Sequence, residues 1–315
     1  MTRWTASDIP SQHGRTAVVT GTGGLGFEGA LELARAGGDV IIAGRNPRKG
    51  ADAVEKIREF APQATISFER LDLASLASIA KFADRLSSKR RSIDILVNNA
   101  GVMVPPRREK TEDGFELQFG TNFLGHFALT ARLLPLLRNG SDSRVVTLSS
   151  LAARGGSINF DDLNAERDYK PMPVYSQSKL ACLIFAIELA RRSERNGWGV
   201  SSIAVHPGIS RTDLLLNASG KYSLQRIVRT LLPFLFQPAA QGALPALFGA
   251  TALEATAGAY YGPDKMGEIR GHPARARVPA AALDGAVARR LWQCSEELTG
   301  ISFSGAMIER GTVPV

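Results

Sequence analysis

Tyr175 and Lys179 stand four residues apart in the stretch Tyr-Ser-Gln-Ser-Lys. On a helix, that spacing places both side chains on one face, one turn apart. A free tyrosine, with a pKa of about 10, is a poor base at neutral pH. A nearby ammonium favours the phenolate and lowers that value. Such a pair can give a proton to a carbonyl oxygen or accept one from an alcohol. Taken alone it is also a common arrangement on ordinary helix faces. A second constellation lies near the N-terminus. There Thr20-Gly21-Thr22-Gly23-Gly24-Leu25-Gly26 follows the apolar run Ala17-Val18-Val19 and opens a helical pattern. Gly21, Gly23 and Gly26 spell G-x-G-x-x-G. In that pattern the first glycine makes a tight turn and the second lets backbone approach a pyrophosphate. The third lets helix and strand pack closely. A helix N-terminus adds N–H groups and a positive dipole end for phosphates.

The second strand pattern runs Val-Ile-Ile-Ala-Gly-Arg, ending near Arg45. A site that prefers NAD usually places Asp or Glu at this strand end, against the ribose 2′-hydroxyl. Asp39 lies at the strand's beginning, too far away to serve. The Arg45 guanidinium matches a 2′-phosphate in geometry and charge, so NADP(H) is the expected cofactor. A solvated loop role for Arg45 stays open. Arg48 and Lys49 add attraction or are plain surface.

These residues need elements to hold them. Apolar, β-rich runs predict strands at 16–20, 39–43, 65–70, 93–97, 144–148 and 200–205. Helical spacing between them, as at 51–60 and 76–86, suits crossover helices. Continuous apolar strands point to a parallel sheet covered on both faces. The fold class is α/β: a Rossmann-type, doubly wound parallel sheet with helices on both faces. Alternation ends near residue 210. The chain then divides into a dinucleotide-binding core, 14–210, and a substrate lid with C-terminal extension, 211–315, within one domain. A last helix is expected at 284–298, packed back on the body. The leucine- and phenylalanine-rich stretch 214–236 has three readings. It is a lid helix pair, an apolar wall for a bulky lipophilic substrate, or a membrane patch flanked by Arg226 and Arg229.

Composition excludes several classes. With 315 residues the chain can bury a sizeable core. The net charge of +8 is spread along the chain without a recognition motif, so no nucleic acid partner is expected. A basic surface attracts anionic cofactors instead. Two distant cysteines, Cys182 and Cys294, make neither a disulfide framework nor a metal cluster. No metal site is expected: His13 and His272 lack ligand spacing, and His126 reads as a helix-face residue. His206, beside Pro207, reads as structural. No signal peptide and no transmembrane segment are expected, and the location is cytoplasmic.

Further segments occur in a telling order: Arg-Leu-Asp-Leu with Asp72 and Leu73, then Asn98-Asn99-Ala100-Gly101. Asn122 in a helical stretch follows, then Ser150, Tyr175 with Lys179, and Val-His-Pro-Gly with Pro207 and Gly208. Together these motifs resemble the short-chain dehydrogenase/reductase family, and within it the retinol-dehydrogenase-like branch. The family loop is T-G-x-x-x-G-x-G, and this sequence is one residue short of it. Gly21 and Gly26 keep their roles in either reading, whereas Gly23 and Gly24 exchange duties beside Leu25.

The resemblance implies a role for each matched residue. Asp72 and Leu73 contact the adenine, and Asn99, Ala100 and Gly101 line the cofactor. Pro207 and Gly208 approach the nicotinamide. Lys179 holds ribose hydroxyls, and Tyr175 is the acid/base beside the cofactor. Ser150, 25 residues before Tyr175, hydrogen-bonds the substrate oxygen and stabilises developing charge. Ser149 points the other way if strand alternation persists. Asn122 holds a water that links Lys179 to solvent. The implied activity is NADP(H)-dependent interconversion of a ketone or aldehyde with an alcohol, on a bulky lipophilic small molecule. The alternatives are a catalytically silent NADP-binding sensor or scaffold, and a reductase of a ring double bond. Family members often form homo-oligomers through helices four and five, so an oligomer is allowed.

Overall fold

The computed structural model describes residues 3–210 and 237–303. The stretch 214–236, with its readings as lid, apolar wall or membrane patch, lies outside the described residues. The strands are β1 (Thr16–Thr20), β2 (Asp39–Gly44), β3 (Thr65–Arg70), β4 (Ile95–Asn98), β5 (Ser143–Leu148), β6 (Val200–Val205), β7 (Tyr260–Lys265) and β8 (Arg270–Arg275). The helices are α1 (Gly24–Arg35), α2 (Pro47–Phe60), α3 (Leu76–Lys89), α4 (Gly125–Arg138), α5 (Pro171–Asn196), α6 (Ala239–Thr251) and α7 (Gly285–Thr299). The first six strands lie where the apolar runs predict them, with ends moved by a residue or two.

One sheet holds all eight strands in the order β3-β2-β1-β4-β5-β6-β7-β8. The pairings from β3 through to β7 are parallel, and β8 returns antiparallel beside β7. The doubly wound parallel sheet expected from the sequence is present, with one antiparallel strand added at its edge. The reason is local. A parallel neighbour needs a long crossover, and the few residues between β7 and β8 permit only a hairpin. That turn carries positive φ at Met266 (52°), Gly267 (66°) and Glu268 (72°).

Successive strand residues serve opposite faces. Val18, Ile41 and Val145 pack with α3, α4, α5 and α7. Val19, Ile42 and Val146 pack with α1, α2 and α6. Burial on both faces explains why these strands read as continuous apolar runs. The helix starts follow their caps. Asn46 accepts from the Lys49 amide at 3.1 Å and Pro47 opens α2, which starts it earlier than the spacing predicts. Asp284 accepts from the amides of Ala286 and Val287, so it caps α7 from outside instead of belonging to it. Gly300, at φ 65°, ends that helix. On the α4 and α5 face, Trp292 of α7 lies 5.2 Å from the Phe127 ring and 5.9 Å from that of Phe185. Phe303 lies 4.5 Å from Trp292. Among the described residues, no helix is long and apolar enough to cross a membrane.

The strand order turns back at β1, which lies between β2 and β4. In open α/β sheets, ligands bind at the carboxyl ends of the strands beside such a reversal. The glycine loop leaves β1 there, and Asn99 to Gly101 leave β4 beside it.

Candidate active site

The glycine loop is shaped by two close approaches. Gly21 turns the chain at φ 101° and donates its amide to the Ala43 carbonyl at 2.8 Å. Gly26 sits against it. A Cβ on Gly26 would lie 2.6 Å from the Gly21 carbonyl oxygen and 2.6 Å from Asn99 Nδ2. Gly23 is extended and forms the N-cap of α1, and a Cβ there would meet nothing within 4 Å. Gly24 has φ 52° and, with Leu25 and Gly26, already belongs to the first turn of α1. The shortened loop thus distributes its glycines as tight turn, open backbone and close packing at Gly21, Gly23 and Gly26. Gly26→Ala is expected to lower stability by about 1–3 kcal/mol, because backbone must move to admit the methyl group. Gly29→Ala is the control. Nothing lies within 4 Å of that Cβ position, so the change should stabilise α1 by up to about 1 kcal/mol. Urea unfolding of both variants measures the difference.

Behind the loop runs a buried polar chain. The Thr20 hydroxyl accepts from the amides of Asn99 (2.9 Å) and Ala100 (3.0 Å). Asn99 Nδ2 donates to the Thr20 carbonyl at 2.7 Å. Thr20 Oγ1 also lies 3.0 Å from His126 Nε2, and His126 Nδ1 lies 2.9 Å from the Asn122 carbonyl oxygen. A carbonyl only accepts, so Nδ1 carries the hydrogen and Nε2 accepts from Thr20. Burial pushes the His126 pKa down to about 4, which keeps the ring neutral. His126 does lie on a helix, α4, and on its buried side: it is 2% exposed and joins Thr20, just before the glycine loop, to Asn122.

Asn122 lies in a π-helical turn, Phe119–Leu124, that runs into α4. Its side chain accepts from the Val102 amide at 2.8 Å and donates to the Val102 carbonyl at 3.0 Å. It also donates to Ser178 Oγ at 3.0 Å, and that hydroxyl donates to the Tyr175 carbonyl at 2.8 Å. The Asn122 carbonyl receives the Cys182 thiol at 3.2 Å as well as His126. Both Asn122 groups are therefore engaged by protein atoms.

Tyr175 and Lys179 lie on α5, each 5% exposed. Lys179 Nζ donates to the Leu148 carbonyl, at the end of β5, at 3.1 Å. A Cβ on Gly101 would sit 2.9 Å from Asn122 Oδ1 and 3.8 Å from Lys179 Nζ, so these three residues meet. Ser149 is buried and donates to the Lys179 carbonyl at 2.7 Å. Ser150 is half-buried and caps a single 3₁₀ turn, accepting from the Ala152 amide at 3.2 Å. The two serine hydroxyls thus take different partners, one on α5 and one in the turn that Ser150 caps. Tyr260 donates its hydroxyl to the Ser150 carbonyl at 3.3 Å. Burial raises the Tyr260 pKa strongly, so that hydroxyl stays a donor.

A cleft of about 580 Å³ opens at the glycine loop. Gly21 to Leu25, Asn99 to Gly101, and Lys49 and Lys56 of α2 are among its walls. An open backbone at Gly23, a helix N-terminus and two ammonium groups fit a dinucleotide phosphate. Arg45 is exposed in the link between β2 and Asn46. Asp72 is half-buried and its Oδ1 accepts from the Ala74 amide at 2.9 Å. Leu73 is buried against Gly125 of α4. Pro207 and Gly208 follow β6. Gly208 has φ 63°, and a Cβ there would overlap the Ile269 carbonyl oxygen.

Residues 15–222 match the family described as short chain dehydrogenase. The chain belongs to that family. Retinol dehydrogenase 13 of Mus musculus is 42% identical to it over 305 residues, covering 95% of this chain and 87% of that one. Polyprenol dehydrogenase of the same organism is 40% identical over 299 residues, covering 93% and 86%. A crystal structure of an uncharacterized protein from Mycobacterium paratuberculosis is similar at TM-score 0.79 and 39% identity. It covers 96% of this chain and 99% of that chain. As a retinol-dehydrogenase-like short chain dehydrogenase, the protein is an oxidoreductase of the alcohol and carbonyl class.

Four features of this family member escaped the sequence reading: Lys56 at the cleft, buried His126, Tyr260 behind Ser150, and Glu268 of the hairpin. The apolar Ala-Tyr-Tyr-Gly-Pro run at β7 was the only available signal for Tyr260. Nothing in spacing marks the others, because each acts across a fold contact.

Proposed function

We propose that the protein interconverts a lipophilic alcohol and its aldehyde or ketone with NADP(H), using Tyr175 as acid/base. The observation that carries this reading is the burial of Tyr175 and Lys179 on one helix, beside Gly101 and Asn122 at the strand-end crevice. A bound nicotinamide supplies hydride chemistry, and the protein's part is positioning and electrostatics. Tyr175 gives its proton to the carbonyl oxygen in reduction and takes it back in oxidation. The Lys179 ammonium, beside Gly101 and Asn122, holds the ribose. Ser150 donates to the substrate oxygen and steadies the charge that develops there.

The names of the relatives point to a substrate class. Retinol and polyprenol are both allylic isoprenoid alcohols, so an alcohol of that type, or its aldehyde, is the substrate to try first. For the cofactor, Arg45 supplies the guanidinium for the 2′-phosphate, and Lys49 and Lys56 add positive charge. Titration with NADPH and NADH, followed by reduced-nicotinamide fluorescence, tests this. NADPH should bind more tightly. Arg45→Gln should weaken NADPH by about tenfold or more, the loss of one charge-assisted contact, and leave NADH nearly unchanged. Equal loss for both cofactors would remove Arg45 as the selecting residue.

A further inference from the structure

The β7–β8 hairpin reaches back to two segments of the site at once. Glu268 sits in its turn with φ 72°, a conformation uncommon for a residue with a side chain. Positions held in such conformations are over-determined by their surroundings and cluster near functional sites. Its Oε2 lies 2.8 Å from His206 Nε2 and 2.5 Å from the Arg154 guanidinium. Its Oε1 accepts from the Arg277 amide at 3.0 Å. Arg154 belongs to the 3₁₀ turn that Ser150 caps. His206 opens the Pro207–Gly208 loop. One carboxylate therefore holds the serine turn and the loop after β6 together.

The histidine's tautomer is determined by its partners. The Gly208 amide donates to His206 Nδ1 at 3.2 Å, so Nδ1 is bare and Nε2 carries the hydrogen given to Glu268. The ring is completely buried, and burial pushes its pKa down to about 4. It acts as a neutral strut between backbone and carboxylate. Tyr260, whose ring centre lies 5.1 Å from that of His206, adds the bond to the Ser150 carbonyl. The Arg154–Glu268 pair is itself partly exposed, with side chains 34% and 19% accessible. Such a pair contributes little to stability, so its effect should lie in geometry.

The geometry points to Glu268 as a positioning residue that keeps the Ser150 turn in register with the Pro207–Gly208 loop, and hence the substrate oxygen in register with the cofactor. This rests on the proposed roles of Ser150 and of that loop. A displacement of about 1 Å at reacting groups can cost on the order of a hundredfold in rate.

The test uses the full chain with NADPH and a C20 isoprenoid aldehyde. Glu268→Ala should lower kcat by about tenfold or more while NADPH affinity stays within about threefold. Glu268→Gln keeps an acceptor for His206 and should recover much of that loss. Arg154→Ala should lower kcat too, and the double variant should be no worse than Glu268→Ala alone, since both act through one contact. Unchanged kcat in Glu268→Ala, or additive losses in the double variant, would overturn the inference. Amide hydrogen exchange gives an arm independent of turnover. Glu268→Ala should speed exchange at Ala152 and Gly208 together. Wild-type exchange at both would overturn the coupling, even if no aldehyde is turned over. Absent wild-type turnover, by contrast, counts against the proposed function, and the exchange arm alone then decides the role of Glu268.

Discussion

Tyr175→Phe is expected to lose turnover by about a hundredfold to ten-thousandfold, the span that a positioned general acid or base contributes. NADPH binding should hardly change. The substitution removes one oxygen from a side chain already 5% exposed, so it opens almost no cavity and breaks no packing. The helix register survives as well, since Ser178 holds Tyr175 through its backbone carbonyl. Single-turnover assays beside a cofactor titration separate the two effects. Turnover within a few fold of wild type would remove Tyr175 as the acid/base and favour another proton donor. Loss of cofactor binding in parallel would make the tyrosine a binding group instead.

The second large effect is loss of stability in acid. His126 titrates near 4 in the fold, against an ordinary value of 6.5, because burial disfavours the imidazolium. The unfolded chain therefore takes up the proton first as pH falls. The stabilisation is complete above about pH 6.5 and is lost progressively as pH drops toward 4, worth on the order of 3 kcal/mol. His206 shifts in the same direction, also mainly by burial, and loses stability across the same window. Glu116 opposes them: burial raises its pKa, so its protonation favours the fold as pH falls. A variant comparison isolates the histidine share. His126→Gln should be less stable at neutral pH, having lost its fit to Thr20 and Asn122. Its urea midpoint should then fall less steeply between about pH 7 and about pH 4.5 than that of the wild type. Parallel slopes would show that His126 does not carry the acid sensitivity.

Much of this fold was legible because its signals are local. β1 and β2 announce themselves through apolar β-rich runs, and their burial on both faces leaves no polar interruption at their centres. β3, at the sheet edge, shows instead as an alternation of Ile66 and Phe68 with polar residues. Tyr175 and Lys179 were legible because a helix converts a four-residue spacing into one face. The glycines were legible because strand, turn and helix occur in immediate succession. The antiparallel edge was not. β7 and β8 carry Pro263 and Pro273 and lack apolar alternation, so only pairing makes them strands, β7 beside β6 and β8 beside β7. The burial of His126 was illegible for a related reason. Helical spacing assigns a face, but the depth of that face depends on Thr20, which is 106 residues away. Lys56 and Glu268 likewise take meaning from partners on other elements.

Trp292 and Phe303 form a roof over Phe127 and Phe185, with the Arg192 guanidinium 4.2 Å above the Trp292 ring. The surface they cover belongs to α4 and α5. There the chain folds its own C-terminal helix, α7, back on the core. Peeling α7 away would expose these aromatic rings to water, so the C-terminal helix belongs to the core of the fold and is no loose appendage.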